Sequence, residues 1–403
     1  MNKRLQSLFF LCQCLKPETS ANDVNSIRDK IQTGSVNWEG VVELAHEHFV
    51  ITALWSGLVR KGLDDSLPDD LRFYLGELHR MNHVRNDAIR SQVADMLGHL
   101  NSVNVSPLLL KGAALLFAGM FEDPAARIMV DIDLMVREEQ VEKVLEVLSS
   151  TGYSRVKGHS REDSLHLPPV VKNGLPASVE VHTRIFDKWI DVEILNSSEV
   201  WGASMLTNMN GVTFHLMSPS QWTLYNIAHS EIHRSNFRRG SISLRDLLDF
   251  SVILSRYTGS IDWREIKVKM ESKGLEKLVR AYLYMGSRLF GTVLPSDLQP
   301  RLSSFLHFTR CLGQVSLPIL HRSMTAATIV YGLFRAKELQ GKYGCSNAFL
   351  DVTRARFRYL MYLLPRYVLG SDRVFLWRRL SGKGVADLKS RVEWEEMRKL
   401  KKP

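Results

Sequence analysis

The chain has 403 residues, 45% of them apolar and 24% charged, with a formal net charge of +10. That composition excludes a globally disordered, collagen-like or low-complexity chain, and the length allows two or three domains with a core that needs no covalent staples. Four cysteines, Cys12, Cys14, Cys311 and Cys345, lack the spacing of a zinc or redox pair, so a disulfide framework is not expected and a reducing, cytoplasmic setting is.

The charge is unevenly distributed. Residues 351–403 hold fourteen Lys/Arg against six Asp/Glu, which leaves only +2 for the first 350 residues. A nearly neutral body therefore carries a basic C-terminal tail. The N-terminal run MNKRLQSLFFLCQCLKPE lacks a small-residue cleavage site and is interrupted by Gln13, so it reads as a buried helix rather than a signal peptide. No stretch approaches the ~18 uninterrupted apolar residues of a transmembrane segment.

In chain order, residues 1–105 read as helices. Trp38 to Lys61 carries a helical apolar stripe stopped by Gly62, and Asp69 to Leu100 carries a longer stripe expected to be interrupted. After the polar connection Asn101–Pro107 the texture changes. Leu108-Leu109-Leu110 before Lys111-Gly112 reads as a short buried strand, and Ala113 to Met120 as a helix. Met129 to Val136 reads as a strand on which Asp131 and Asp133 alternate with Ile132 and Leu134. Glu138 to Ser149 reads as an amphipathic helix and Tyr153 to Lys157 as a strand. His166–Val171 and Ser178–His182 read as a hairpin around Asn173-Gly174. Strands alternating with helices indicate α/β or α+β. Helices return at Ser218-Pro219, at Ser243 and at Asp262-Trp263. The boundaries this implies are a helical region 1–105, a mixed core 106–217, a helical domain 218–350 and a basic helical tail 351–403.

The chemistry concentrates between Leu108 and His182. A period of two places Asp131 and Asp133 on one face of their strand. Two carboxylates on one face repel unless a cation lies between them, and magnesium is held in this way by carboxylates together with substrate phosphates. Burying both acids in VDIDLMV without a counter-charge would be costly. Glu180, in Val179-Glu-Val-His182, is a further strand acid that would complete a two-metal clamp. Lys111-Gly112 at a helix start offers backbone N–H groups and a cation to phosphate oxygens, and Arg127 offers a fork. Taken singly, each feature has an ordinary explanation: solvated strand acids, a snorkelling lysine, an ion-paired arginine. Their order and apolar flanks distinguish them.

KGAAL, DPAAR, DIDLMV and VEVH, with LAHEHFVITALWSGL before them and SPSQWTLYNIAHSEIH, LRDLLDF and IDW after, resemble the uncharacterised bacterial nucleotidyltransferases of the polymerase-beta-like superfamily, over roughly residues 35–300. The resemblance implies an α+β fold: a minimal nucleotidyltransferase core, a small mixed sheet with helices, flanked by helical regions. It also implies magnesium ligation by Asp131, Asp133 and Glu180. Two Mg2+ ions are expected, with Mn2+ as the alternative. The chain departs from the wider superfamily in opening its helix with Lys-Gly-Ala and in placing Asp131 nineteen positions after Gly112, across the insert Ala118–Ala126.

His229 and His233 stand four apart in His-Ser-Glu-Ile-His, which is not a zincin arrangement, and the resemblance brings His229 toward the active site. His182 shares the face of Glu180 and is a candidate nucleotide contact. Arg245-Asp246 reads as a structural ion pair between helices, with nucleotide contact as the alternative. The expected activity is magnesium-dependent transfer of a nucleoside monophosphate from an NTP, ATP foremost, to an unidentified acceptor hydroxyl with release of pyrophosphate. Asp131, Asp133 and Glu180 would be catalytic and metal-binding. Lys111, Gly112, Arg127, His182 and His229 would bind nucleotide. The alternative is an inactive relative that docks a partner through its basic tail. The alternation of basic and aromatic residues in that tail allows contact with an anionic membrane surface, with nucleic acid, or with neither.

Overall fold

A computed structural model describes residues 2–155, 167–186, 194–334 and 351–357. They fall into two compact units, one ending at His321 and the other beginning at Arg322.

The first unit opens with helices α1 (Lys3–Leu15), α2 (Ala21–Gln32), α3 (Trp38–Glu47), α4 (Ile51–Arg60) and α5 (Asp69–Ser102). The stripe expected to run unbroken from Trp38 to Lys61 is two helices. Phe49, between them, takes a left-handed φ of 58°, which a bulky residue adopts only when its surroundings hold it there. Conversely, α5 is a single helix of 34 residues rather than an interrupted one. Its buried polar side chains explain its length. Asn82 donates to the carbonyls of Ala125 and Arg127, Asn86 to those of Pro124 and Arg127, and Gln92 to that of Ala177. The helix is a spine onto which the loops of the α/β core are fastened.

The core contains β1 (Leu108–Leu109), α6 (Lys111–Phe117), β2 (Asp131–Met135), α7 (Val141–Ser150), β3 (Ser154–Arg155), β4 (Val170–Val171), β5 (Ser178–His182), α8 (Ser197–Gly202), β6 (Met205–Met209) and β7 (Val212–Leu216). The seven strands form one mixed sheet in the order β3-β4-β5-β2-β1-β7-β6. β2 runs parallel to β5 and antiparallel to β1, and β1 runs parallel to β7. The hairpin β6–β7 is absent from the sequence reading. Its turn is Asn210-Gly211, both with positive φ (53° and 80°), the pair that a two-residue hairpin turn of matching twist requires.

Beyond the sheet follow α9 (Pro219–Ala228), a π-helical turn His229–His233, α10 (Asn236–Arg239), α11 (Leu244–Arg256), α12 (Trp263–Ser272), α13 (Glu276–Phe290), α14 (Leu302–Ser316) and α15 (Pro318–Leu333). Ser218 caps α9 through the Gln221 amide with Pro219 at its first position, and Ser243 caps α11 through the Asp246 amide. One continuous apolar core runs from Leu8 in α1 through Leu108, Ile132 and Val179 in the sheet to Phe250 and Tyr282 beyond it. Helix α1 packs against α3, α4, α13 and α14, so the helical regions on either side of the sheet share one interior. Among the described residues, no helix is long and apolar enough to cross a membrane.

In the second unit residues 351–357 are helical, and Arg356 Nε donates to the Leu333 carbonyl at 2.9 Å. The basic tail beyond residue 357 lies outside the described residues.

Candidate functional site

Parallel pairing of β2 with β5 fixes the site. The register sets Asp131 opposite Ser178, Asp133 opposite Glu180 and Met135 opposite His182. Residues two apart share a face, and partners in register share it too, so Asp131, Asp133, Glu180 and His182 converge on one side of the sheet. Backbone bonds lock this arrangement: Leu110 N–H donates to the Asp133 carbonyl at 3.0 Å and Val136 N–H to that of His182 at 2.9 Å.

Asp133 is buried and is the hub. Its Oδ1 lies 2.9 Å from His182 Nε2 and 2.5 Å from Lys111 Nζ, and His182 Nε2 is 4.0 Å from Glu180 Oε2. One ligating atom from each of Asp133, Glu180 and His182 falls within 4.8 Å of the others. Burial alone would raise the Asp133 pKa, but the Lys111 ammonium and the His182 hydrogen bond reverse this and hold the carboxyl well below the usual range. Burial likewise opposes the charge on Lys111, and Asp133 foremost, with Tyr225, Asp131 and Glu180 farther out, keeps it protonated. Asp131, at the start of β2, is half-buried. It lies within electrostatic reach of Lys111, Tyr225 and Arg85.

The donor chemistry suits a hard divalent cation. Two buried carboxylates and one imidazole converge, a third carboxylate shares their face, and the Lys111 ammonium touches Asp133. His182, expected to contact nucleotide, stands among the candidate ligands, whereas Asp131 stands outside the tight cluster.

The backbone at Lys111 is itself unusual, with a left-handed φ of 45° at the first residue of α6. This conformation brings the ammonium onto Asp133. Gly112 follows under close cover: a Cβ there would meet Arg127 Nη1 at 2.2 Å and Met129 Sδ at 2.5 Å. Arg127, expected as a forked phosphate ligand, instead closes its fork on Asp249. Nε lies 2.9 Å from Oδ1 and Nη2 2.8 Å from Oδ2, both side chains being buried. With its fork committed, Arg127 ties the loop before β2 to α11. The Ala118–Ala126 insert is also anchored, because Asp123 accepts from Ser56 and contacts His79 Nε2 at 2.6 Å.

The far wall comes from the helical segment after the sheet. The Tyr225 ring is buried, 5.1 Å from the Phe186 ring and 5.8 Å from His229. His229 stacks on His233 at 5.3 Å across the π-helical turn. Burial, and then Arg234, His233, Lys111 and Arg245, drive the His229 pKa well below the ordinary histidine value, so its ring is neutral. His229 is thus brought to the site, close enough to feel Lys111. Beyond it, Asp246 lies 3.4 Å from Arg234 Nη1 and 3.8 Å from Arg245 Nε.

Sequence reasoning passed over Arg85, Tyr225 and Arg234. Arg85 donates to the carbonyls of Met129 and Pro176, bracing the entries to β2 and β5 beside Asp131. Tyr225 had a usable signal, since it stands one helical turn before His229. Arg234 had none, because the π-helical turn shifts its register.

A family model described as an uncharacterised nucleotidyltransferase matches residues 34–291. A comparison with curated proteins returns no match. Among solved structures, the chain is similar to an antigenic nucleotidyltransferase-like protein from Paracoccidioides brasiliensis at 17% identity, over 53% of this chain and 96% of that one, with a TM-score of 0.35.

Proposed function

The chain belongs to this family of uncharacterised nucleotidyltransferases, and from that premise we propose that it transfers a nucleoside monophosphate from an NTP to an acceptor hydroxyl, with release of pyrophosphate. The observation that carries the reading is the convergence of Asp133, Glu180 and His182 on one sheet face with Asp131 beside them. Asp133, Glu180 and Asp131 would hold magnesium, with His182 as a further ligand or as the group that orients Asp133. When bound, the metal would neutralise phosphate charge and lower the barrier to in-line displacement at the α-phosphorus.

The chain's own residues supply the rest. Lys111 presents an ammonium to phosphate oxygens from a helix start. Gly112 lets the turn close over Arg127 and Met129. Arg127 positions the loop before β2 through Asp249. His229, held neutral, offers a hydrogen bond rather than a charge. Glu180 would take up the proton of the acceptor hydroxyl. ATP is the donor we propose first, and the acceptor is a hydroxyl on a protein, an RNA or a small metabolite.

One contact favours a second reading, a binding protein that keeps the fold without turnover: Lys111 already supplies Asp133 with a cation at 2.5 Å. Incubating the protein with labelled NTPs and a cell lysate, alongside Asp133→Asn, separates the two. Label transferred by the wild type and not by the variant supports the enzyme. Equal labelling, or none with any NTP, supports the binding protein.

A further inference from the structure

Around Asp246 lie two cations, Arg234 and Arg245, that the reaction above does not use. Arg127 and Asp249 satisfy each other bidentately, which leaves Asp246 to serve both Arg234 and Arg245. It accepts a hydrogen bond from Arg234 Nη1 at 3.4 Å and approaches Arg245 Nε only to 3.8 Å. The Arg245 side chain is only 16% exposed, and its one carboxylate contact is that 3.8 Å approach, beyond hydrogen-bond range. Its remaining contact is the face of Phe49, whose ring centroid lies 5.4 Å from the guanidinium carbon. No hydrogen-bond acceptor for Arg245 occurs among the described residues. A guanidinium carries five donors in a fixed fork, which an oxyanion can engage in parallel.

Two further observations point to an anion. Arg245 is the second residue of α11, a 13-residue helix, where the positive end of the helix disfavours a cation and attracts an anion. Glu231, the nearby acid that might have balanced the charge, is pushed up to about 8 by burial, so it is uncharged at neutral pH.

We propose that Arg245 and Arg234 form a phosphate-binding subsite that receives a phosphate-bearing part of the substrate and continues from Lys111 past His229. This rests on the transferase reading for the identity of the substrate. The geometry of the arginine pair stands without it. After burial, Arg234, Lys111 and Arg245 all help to lower the His229 pKa, so the two groups of cations share one electrostatic environment. The nucleotide's polyphosphate tail and a phosphate on the acceptor share the chemistry that this pair would recognise.

The test is calorimetric binding to the full-length protein in EDTA, with tripolyphosphate, ATP, adenosine and glucose 1-phosphate as probes. For a nucleotide-tail site, Arg245→Gln weakens tripolyphosphate and ATP by about ten- to a hundredfold, the scale of lost charge-assisted hydrogen bonds, and leaves adenosine unchanged. Arg245→Lys recovers only part, because a point charge replaces a fork. Arg234→Gln, on the exposed rim, weakens the same probes less and tests the site even where Arg245→Gln fails to fold. A loss confined to glucose 1-phosphate assigns the site to the acceptor. Wild-type affinity of all phosphate probes in Arg234→Gln and in any folded Arg245 variant overturns the proposal, as does a wild type that binds none. Should the wild type transfer no label from any NTP while tripolyphosphate binding still depends on Arg245, the transferase reading falls and this subsite remains.

Discussion

The two walls of the site are built on opposite principles. The strand wall, β2 and β5, is regular: its acids sit in register, its backbone bonds are complete, and the Asp133 charge is met at 2.5 and 2.9 Å. The helical wall, from His229 to Arg245, is irregular. A π-helical turn, a left-handed Ser235 and a left-handed Phe49 hold its shape, and Arg234 and Arg245 stand 3.4 and 3.8 Å from the carboxylate they share. The acidic wall gathers three carboxylates on the face that Lys111 meets, and the helical wall gathers Arg127, Arg234 and Arg245 around Asp246 and Asp249. Such a pair of surfaces suits a ligand that brings a cation to one side and phosphate oxygens to the other.

Arg127–Asp249 joins the two walls, so breaking it gives the largest effect on stability. Arg127→Met leaves Asp249 buried and unpaired, and should cost about 3–5 kcal/mol in chemical denaturation. The double variant Arg127→Met/Asp249→Leu should recover most of that loss. If the single variant is as stable as wild type and loses only NTP affinity, Arg127 is a ligand after all and the walls are not joined in this way.

On the strand wall, Asp133→Asn should reduce transfer by roughly 10²–10³-fold, the scale of losing one preorganised charged group, with the fold retained by circular dichroism. An unchanged rate would detach the acidic wall from the chemistry.

On the helical wall, Glu231 gives a pH signature. Its Oε1 accepts from Ser230 at 2.8 Å, while Oε2 is buried without a partner among the described residues. Its folded pKa of about 8 lies above the ordinary 4.5. Below 4.5 the proton is bound in both states and nothing is lost. Between 4.5 and 8 the unfolded chain releases it and the folded chain does not, so stability falls as pH rises. Glu231→Gln removes this dependence. Its stability relative to wild type should increase by about 2 kcal/mol from pH 5 to pH 7, measured by urea denaturation at each pH. A gap independent of pH would mean that Glu231 is charged and the helical wall better balanced than described.

The smallest effect is at the seam. Gly112→Ala pushes a methyl against Arg127 and Met129, and should cost about 1–3 kcal/mol. A neutral outcome in thermal denaturation would show that the Arg127 fork has slack.

The strand wall was legible in the sequence because a period of two needs no tertiary information: DIDLMV and VEVH alone place Asp131, Asp133, Glu180 and His182 on common faces. Parallel register then made His182 a neighbour of Asp133, which spacing could not give. The helical wall was not legible. Arg127 matches its expected type, yet its partner Asp249 lies 122 residues away. Arg245-Asp246 reads as a structural ion pair between helices, and Asp246 does meet Arg234 of the preceding segment at 3.4 Å, a partner that the sequence did not name. The break at Phe49 was hidden because His48 and Val50 carry no glycine or proline signal. The Asn210-Gly211 turn was legible and was passed over, because the strands around it are short and β6 is largely exposed.

The central claim is that the acids of β2 and β5 hold a divalent cation together with nucleotide. Electron paramagnetic resonance of Mn2+ titrated into the full-length protein with a non-hydrolysable ATP analogue tests it directly. The account predicts loss of the free-Mn2+ signal with wild type, and its persistence with Asp133→Asn and with Glu180→Gln. Identical titrations for wild type and both variants, whether all bind or none does, would contradict it.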